Sequence, residues 1–334
     1  MKIKFKGKLA MVLLGLIVFT GCAGQNEAAK SEKLEKVTFV LDWTPNTNHT
    51  GLYVAQQKGY FKDEGLEVEI VQPSDDSASA LVASGKAQFG ISAQDSLAPN
   101  FAADNPLPIT AVATIIQHNT SGIMSRKGEG LNRPKGLEGK TYATWDSPVE
   151  QAMIANVMTK DNGDFKKVKL IPNNIVDEPL ALKEKQADAI WIFYGWGGVF
   201  SEIEKVPTDY FSFKDLNPVF DYYTPVIMAN NTFLKEHPEI AKKFLIATKK
   251  GYEFAINSPQ EAAAILVKEV PELNEDLVLS SQKWLSREYL SDAPKWGYIE
   301  PKRWNDFYTW LGDNRLVEKE IPANTGFSNE YLPE

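Results

Sequence analysis

Lys36-Val-Thr-Phe-Val-Leu41-Asp-Trp-Thr-Pro-Asn-Thr-Asn-His-Thr50-Gly-Leu-Tyr-Val-Ala-Gln-Gln-Lys58 reads in order as a strand, a loop and a helix. Apolar residues dominate 36–41, and 50–58 has the spacing of an amphipathic helix. The connection Leu41–Gly51 is longer than a strand-to-helix turn requires. A turn residue and an N-cap would suffice. Instead it carries Trp43, two amides, a histidine and hydroxyls, which is directional hydrogen-bonding capacity beside flat apolar surface. Binding groups concentrate on loops held by a rigid scaffold, so this loop reads as half of a small-molecule site.

The pattern repeats on either side. Leu66–Val71 alternates with period two, Ala78–Ser84 is helical, Gln88–Ser92 is a strand, Asp95–Ala103 a helix and Ile109–Ile116 a strand. Lys127–Gly136 breaks the composition with glycine, proline and charge and reads as a crossing between lobes. A second unit follows, with strands at Lys140–Thr144, Val168–Ile171 and Ala189–Phe193 and helices at Pro148–Thr159 and Pro179–Lys185. Tyr222–Ala229 reads as a strand carrying the chain back, and from Thr232 onward the pattern is helical. Repeated β-α-β with short connections predicts α/β lobes with mostly parallel sheets covered by helices. The expected division is 36–125 with 226–334 in one lobe and 126–225 in the other.

The N-terminus bears on compartment. Lys2, Lys4, Lys6 and Lys8 precede an apolar run, Leu9–Phe19, too short for a stable spanning helix. This fits a secretory signal over 1–22. Phe19-Thr20-Gly21-Cys22 resembles a bacterial lipobox, which implies cleavage before Cys22 and its lipidation. Residues 23–35 are polar and read as a flexible tether. Cys22 is the only cysteine of 334 residues, so thiolate metal sites and cysteine nucleophiles are not expected in the body. The formal charge is −8, and removing four lysines with the leader takes it to −12. That balance argues against nucleic acid as a partner.

Asp42-Trp43, Asn46, His49, Gly51, Ala55-Gln56, Lys58-Gly59-Tyr60-Phe61 and Glu64-Gly65-Leu66 together resemble the start of the NMT1/THI5-like family. Leu81–Lys86, Tyr194-Gly195-Trp196 and Asn329–Leu332 extend the likeness over nearly the whole mature chain. The resemblance implies a type II periplasmic-binding-protein fold: two lobes, each with a mixed, mostly parallel sheet, joined by two crossover segments, with ligand in the cleft. It implies a monomeric substrate-binding lipoprotein of an ABC importer, lipid-anchored on the extracytoplasmic face, partnered by permease and ATPase subunits and needing no cofactor. The implied ligand is a thiamine-precursor pyrimidine, of formylamino or hydroxymethyl type. Riboflavin-type heterocycles and sulfonate- or nitrate-type solutes are the alternatives. The family also holds fungal pyrimidine synthases, which carry a histidine after the third strand and a cysteine-rich cluster. Here that loop is Ser92-Ala-Gln-Asp-Ser96, so an enzyme is not expected. The family pattern also expects an acid after Tyr-Gly-Trp, where this chain has Gly197.

Loops at the carboxyl ends of parallel strands converge where a ligand can sit. Trp43, Tyr194 and Trp196 are the candidate stacking surfaces, with core packing the competing role for each. Asp42, Asn46 and His49 can meet the ligand edge, or hold the loop and cap the helix. Ser92 and Gln94, followed by Asp95, succeed the third strand, and Ser147 and Glu150 flank Pro148 at a helix start. Tyr223 or its neighbour Tyr222 is expected to face the ligand from the return crossing, with the phase open. His118 and His237 read as surface or capping residues, and no metal site is expected.

Overall fold

The computed structural model describes residues 33–73 and 77–334. Cys22, the leader expected over 1–22 and most of the expected tether lie outside the described residues. The tether's last position, Glu35, already belongs to a strand, because its amide bonds Gly65 O at 2.9 Å and its Cα pairs with Leu66.

The strands are β1 (Glu35–Val40), β2 (Leu66–Val71), β3 (Phe89–Ser92), β4 (Ile109–Thr114), β5 (Ser121–Arg126), β6 (Thr141–Thr144), β7 (Lys169–Pro172), β8 (Ala189–Phe193), β9 (Thr208–Ser212) and β10 (Val226–Asn230). They form two five-stranded sheets, ordered β2-β1-β3-β10-β4 and β7-β6-β8-β5-β9. The helices used below are α1 (Thr50–Gln57), α2 (Ala78–Ala83), α3 (Gln94–Phe101), α4 (Pro148–Lys160), α5 (Glu178–Lys183), α6 (Pro238–Asn257), α7 (Pro259–Glu269), α8 (Glu275–Leu285) and α9 (Pro301–Asp313). Among the described residues no helix is long and apolar enough to cross a membrane.

In each sheet one strand runs against the others. β10 is antiparallel to β3 and β4, and β5 is antiparallel to β8 and β9. Val226, the first residue of β10, pairs with Ser92 and Thr114, the last residues of β3 and β4. Ser121, the first residue of β5, pairs with Phe193, the last of β8. The carboxyl ends of the parallel strands in both sheets therefore lie beside the two segments, 115–120 and 221–225, that join them. The segments are also bonded to each other. Ile115 N–H donates to Pro225 O at 3.0 Å, and Asn119 donates from its backbone to Asp221 Oδ1 at 2.8 Å and from Nδ2 to Phe220 O at 2.9 Å.

This corrects the crossing expected at Lys127–Gly136. β5 already belongs to the second sheet, so the chain changes lobe before Ser121 and 127–136 is a loop within that lobe. Glycine, proline and charge mark an exposed turn wherever it falls. The true crossing begins with buried Ile115 and Ile116 and has no such break.

Both faces of the first sheet are covered. Phe244 of α6 stacks on Phe89 at 4.1 Å, on Phe61 at 5.4 Å and on Phe39 at 5.7 Å. Val40, Val82, Ala111 and Met228 belong to the core that includes Trp304, Phe307, Tyr308 and Leu311 of α9, an i, i+3, i+4, i+7 stripe. In the second sheet α4 buries Met153, Ile154, Val157 and Met158, and Leu182 of α5 packs with Met124, Ala143, Ile190 and Ile192. α1 and α6 cross at two glycines. A Cβ added at Gly251 would fall inside the van der Waals envelope of Gly51 O, and one at Gly51 would strike the Tyr252 ring. Gly51, read first as part of a binding loop, is thus a close-packing residue. Gly251→Ala should separate the helices and lower stability by about 1–3 kcal/mol, read as a lower denaturant midpoint at unchanged slope; an unchanged midpoint would contradict the close crossing.

Candidate functional site

The Leu41–Gly51 loop is held by its own polar residues. Asn46 accepts the Asn48 N–H at 2.9 Å and donates from Nδ2 to Thr44 O at 3.1 Å. His49 is fully buried; its Nδ1 accepts the Asn46 N–H at 3.2 Å. With Nδ1 an acceptor, Nε2 carries the proton and donates to Asp42 Oδ1 at 2.9 Å. Two tyrosines from the C-terminal half finish the clamp: Tyr252 donates to Asn48 O and Tyr289 to Thr47 O, each at 2.6 Å. What the loop leaves to solvent is Trp43, 68% exposed, with Asp42 and Thr44 on either side. Asn46 and His49, both candidate edge contacts, position these two.

The second lobe repeats the device at β6, around an exposed indole that the sequence did not single out. Trp145 follows β6 directly and is 52% exposed. Glu150 builds its loop by accepting the Tyr142 O–H at 2.5 Å, the Thr144 O–H at 3.0 Å and the Trp145 N–H at 3.1 Å. Ser147 caps α4 with Glu150 as its capping-box partner. Burial, with the Glu150 charge beside it, raises the Tyr142 pKa well above the ordinary range and keeps its proton in place. Glu150 and Ser147 therefore act behind the surface that Trp145 presents. An aromatic within three residues of a strand's carboxyl end, as at Trp43, is the signal that could have found it.

Tyr194–Gly198, after β8, joins the lobes. Ser281 of α8 donates to Gly195 O and shares a 2.6 Å hydrogen bond with Thr47 Oγ1, so one serine links this turn to the first loop. Trp196 packs on the cluster of Ala263, Leu266, Val270 and Val278 from the C-terminal helices. Tyr194 lies 5.4 Å from Trp284 and donates to Glu202 at 2.6 Å. Both rings, expected to stack on ligand, are engaged by protein. Gly197 is enclosed: a Cβ there would approach Ile192 at 3.1 Å and the Glu178 carboxyl carbon at 3.6 Å. Burial, then the Asp177 charge, raises the Glu178 pKa.

At the crossings Gln94 is fully buried, donating to Trp304 O at 2.8 Å and accepting the Tyr223 N–H at 3.0 Å. Its amide is used in stitching β3 to the return segment. Ser92 is half-buried at the end of β3. Tyr223 turns toward α9, accepting the Glu300 N–H at 2.9 Å beneath the Arg303 guanidinium. Tyr222 also meets α9, stacked 4.2 Å from Phe307. Two surface depressions, of about 330 and 350 Å³, are lined by residues near Trp310 and near Pro259 and hold none of the candidate residues.

A two-lobe α/β chain with its parallel strand ends turned toward two crossings has the type II periplasmic-binding-protein fold. The E. coli periplasmic aliphatic sulphonate-binding protein SsuA superposes with a TM-score of 0.68 at 13% identity, covering 90% of this chain and 94% of its own. Residues 46–262 match the model of the NMT1/THI5-like family, and this chain belongs to that family. It is similar to the formylaminopyrimidine-binding protein of Halalkalibacterium halodurans, 27% identical over 96% of this chain and 98% of that one. It is also similar to the 4-amino-5-hydroxymethyl-2-methylpyrimidine phosphate synthase THI11 of Saccharomyces cerevisiae, 28% identical over 89% and 88% of the two chains.

His118, expected at the surface, instead ties the crossings together, with Nδ1 at 2.6 Å from Asp221 and Nε2 at 2.8 Å from Asp292. Arg303 approaches Asp221 at 3.7 Å. The hydrogen bond to Asp221 leads the causes that raise the His118 pKa above its ordinary value, against the opposing effect of burial. A raised folded-state pKa gives stability that is complete below the unfolded value, about 6.5, and is lost as pH rises through the folded value. His118→Gln should therefore cost melting temperature at pH 6 and progressively less toward pH 9; a penalty independent of pH would contradict this.

Proposed function

We propose that this chain is the solute-binding component of an ABC importer and captures a thiamine-precursor pyrimidine, of formylamino or hydroxymethyl type, between its lobes. The observation that carries the reading is the pair Trp43 and Trp145. One follows β1 and the other β6, each at its sheet's interlobe edge, and each stays exposed on a loop whose polar residues are committed to holding it. Two indoles offered from opposite lobes suit a flat ring, since stacked aromatic pairs contribute about 0.5–1.5 kcal/mol each beyond the area they bury. Hinge closure across the two crossings is the accompanying motion. The likeness to a formylaminopyrimidine-binding protein over nearly both full chains supports the choice of ring.

We read the protein as a carrier rather than a catalyst, despite its similarity to the yeast synthase. His49 is buried with both ring nitrogens engaged, and His118 lies between two carboxylates at the crossings. Neither can serve as a base toward a ring held between Trp43 and Trp145. Permease and ATPase partners, an extracytoplasmic site of action, monomeric state and lipid attachment through Cys22 belong to the same proposal.

A thermal-shift screen of the mature protein against hydroxymethyl- and formylaminopyrimidine, thiamine, riboflavin, taurine and nitrate tests it. An aminopyrimidine at 100 times its Kd should stabilise by about 2.7 kcal/mol. Trp43→Ala and Trp145→Ala should each remove most of that shift while leaving the unliganded melting temperature within a degree or two, as exposed side chains do. A shift with taurine or nitrate and none with the pyrimidines would contradict the substrate.

A further inference from the structure

Asp95 is the one carboxylate among the described residues with a buried oxygen, Oδ1, that has no hydrogen-bond partner. It stands at the start of α3, directly beyond the carboxyl end of β3, so it shares the interlobe edge with Trp43, which follows the adjacent strand β1. Its titratable neighbours are the Tyr222 phenol from the return crossing and the Tyr308 phenol from α9, and the backbone N–H groups of Ser96 and of Asp95 itself oppose the effect of burial. Tyr308 donates its proton to Gln94 O at 2.9 Å, so it is not a donor to the carboxylate. Both phenols are held neutral by burial, which raises their pKa values well above the ordinary range. The residue as a whole is half-buried.

An unpartnered buried carboxylate is costly to a fold, and such groups concentrate where a ligand completes the pairing. We propose that Asp95 is the polar anchor of the cleft and binds the edge of an amino-substituted nitrogen heterocycle on which an exocyclic amine adjoins a ring nitrogen. The inference rests on the solute-binding reading above. One carboxyl oxygen accepts from the amine while the protonated oxygen donates to the ring nitrogen, so the complex holds one proton between carboxyl and ring. Burial has already moved the Asp95 pKa up to about 6, which makes that proton available near neutrality. Above that pH, binding must take up a proton that neither free partner carries, and affinity falls as pH rises.

The test is calorimetric titration with 4-amino-5-hydroxymethyl-2-methylpyrimidine between pH 6.5 and 8.5 on wild type, Asp95→Asn, Asp95→Leu and Glu178→Gln. Wild-type affinity should weaken toward a limit of about tenfold per pH unit. Asp95→Asn keeps an acceptor beside a donor, so it should bind within several-fold of wild type and lose the pH dependence. Asp95→Leu should bind about 10–100-fold more weakly. Glu178→Gln, at another carboxylate whose pKa burial raises, should match wild type. The Asn variant should melt at or above the wild-type temperature, because it removes an unpaired buried charge. Wild-type affinity in Asp95→Leu, a retained pH profile in Asp95→Asn, or a lower melting temperature for Asp95→Asn would each overturn the assignment while leaving the carrier reading intact. Failure of the wild type to bind any aminopyrimidine while it binds taurine or nitrate would instead overturn the proposed substrate and the anchor together.

Discussion

Everything at the centre of this molecule depends on two reversed strands. β10 enters the first sheet antiparallel between β3 and β4, and β5 enters the second antiparallel between β8 and β9. Each begins where its parallel neighbours end, so the chain must leave and re-enter each lobe at the carboxyl edge. That single constraint turns both sets of strand ends toward the crossings and makes the loops after β1, β3, β6 and β8 neighbours of the interlobe space. Lobes joined by independent linkers would carry no such obligation.

The second organising feature is how polar side chains are used. In both exposed-indole loops hydrogen-bonding groups are spent on the loop itself: Asn46 and His49 in one, with His49 holding the exposed Asp42, and Glu150, Ser147 and Thr144 in the other. A loop whose backbone donors and acceptors are satisfied locally loses little freedom when a ligand arrives, and pre-organisation of that kind is what makes a flat aromatic contact effective. The first loop is therefore richer in polar chemistry than a connection needs because it must stay rigid while exposing a large apolar ring. Its solvent-facing chemistry is narrower than its composition suggests.

How far the sequence could be read follows from which contacts are local. β2 and β8 fall on the residues their alternation and apolar runs predict, and the helix starts at Thr50, Ala78 and Pro148 follow from nearby caps or glycine and proline. β5 and β9 escaped because Ser121-Gly-Ile-Met-Ser-Arg126 opens on a serine and a glycine and Thr208–Ser212 is a half-exposed edge strand. Trp196 looked like a loop-tip ring among glycines, but its partners lie in helices more than sixty residues further on. The phase of Tyr222 and Tyr223 depends on where α9 docks, and the packing of α9 is not written in the crossing itself. Gln94 was read as a ligand contact for its chemistry, and the same chemistry serves a buried stitch.

The central claim is that a flat nitrogen heterocycle is held between indoles contributed by the two lobes. A crystal structure of the complex with formylaminopyrimidine tests it most directly. The ring should lie between Trp43 and Trp145 with its amino edge toward Asp95. A ring seated elsewhere, with both indoles still facing solvent, would contradict it.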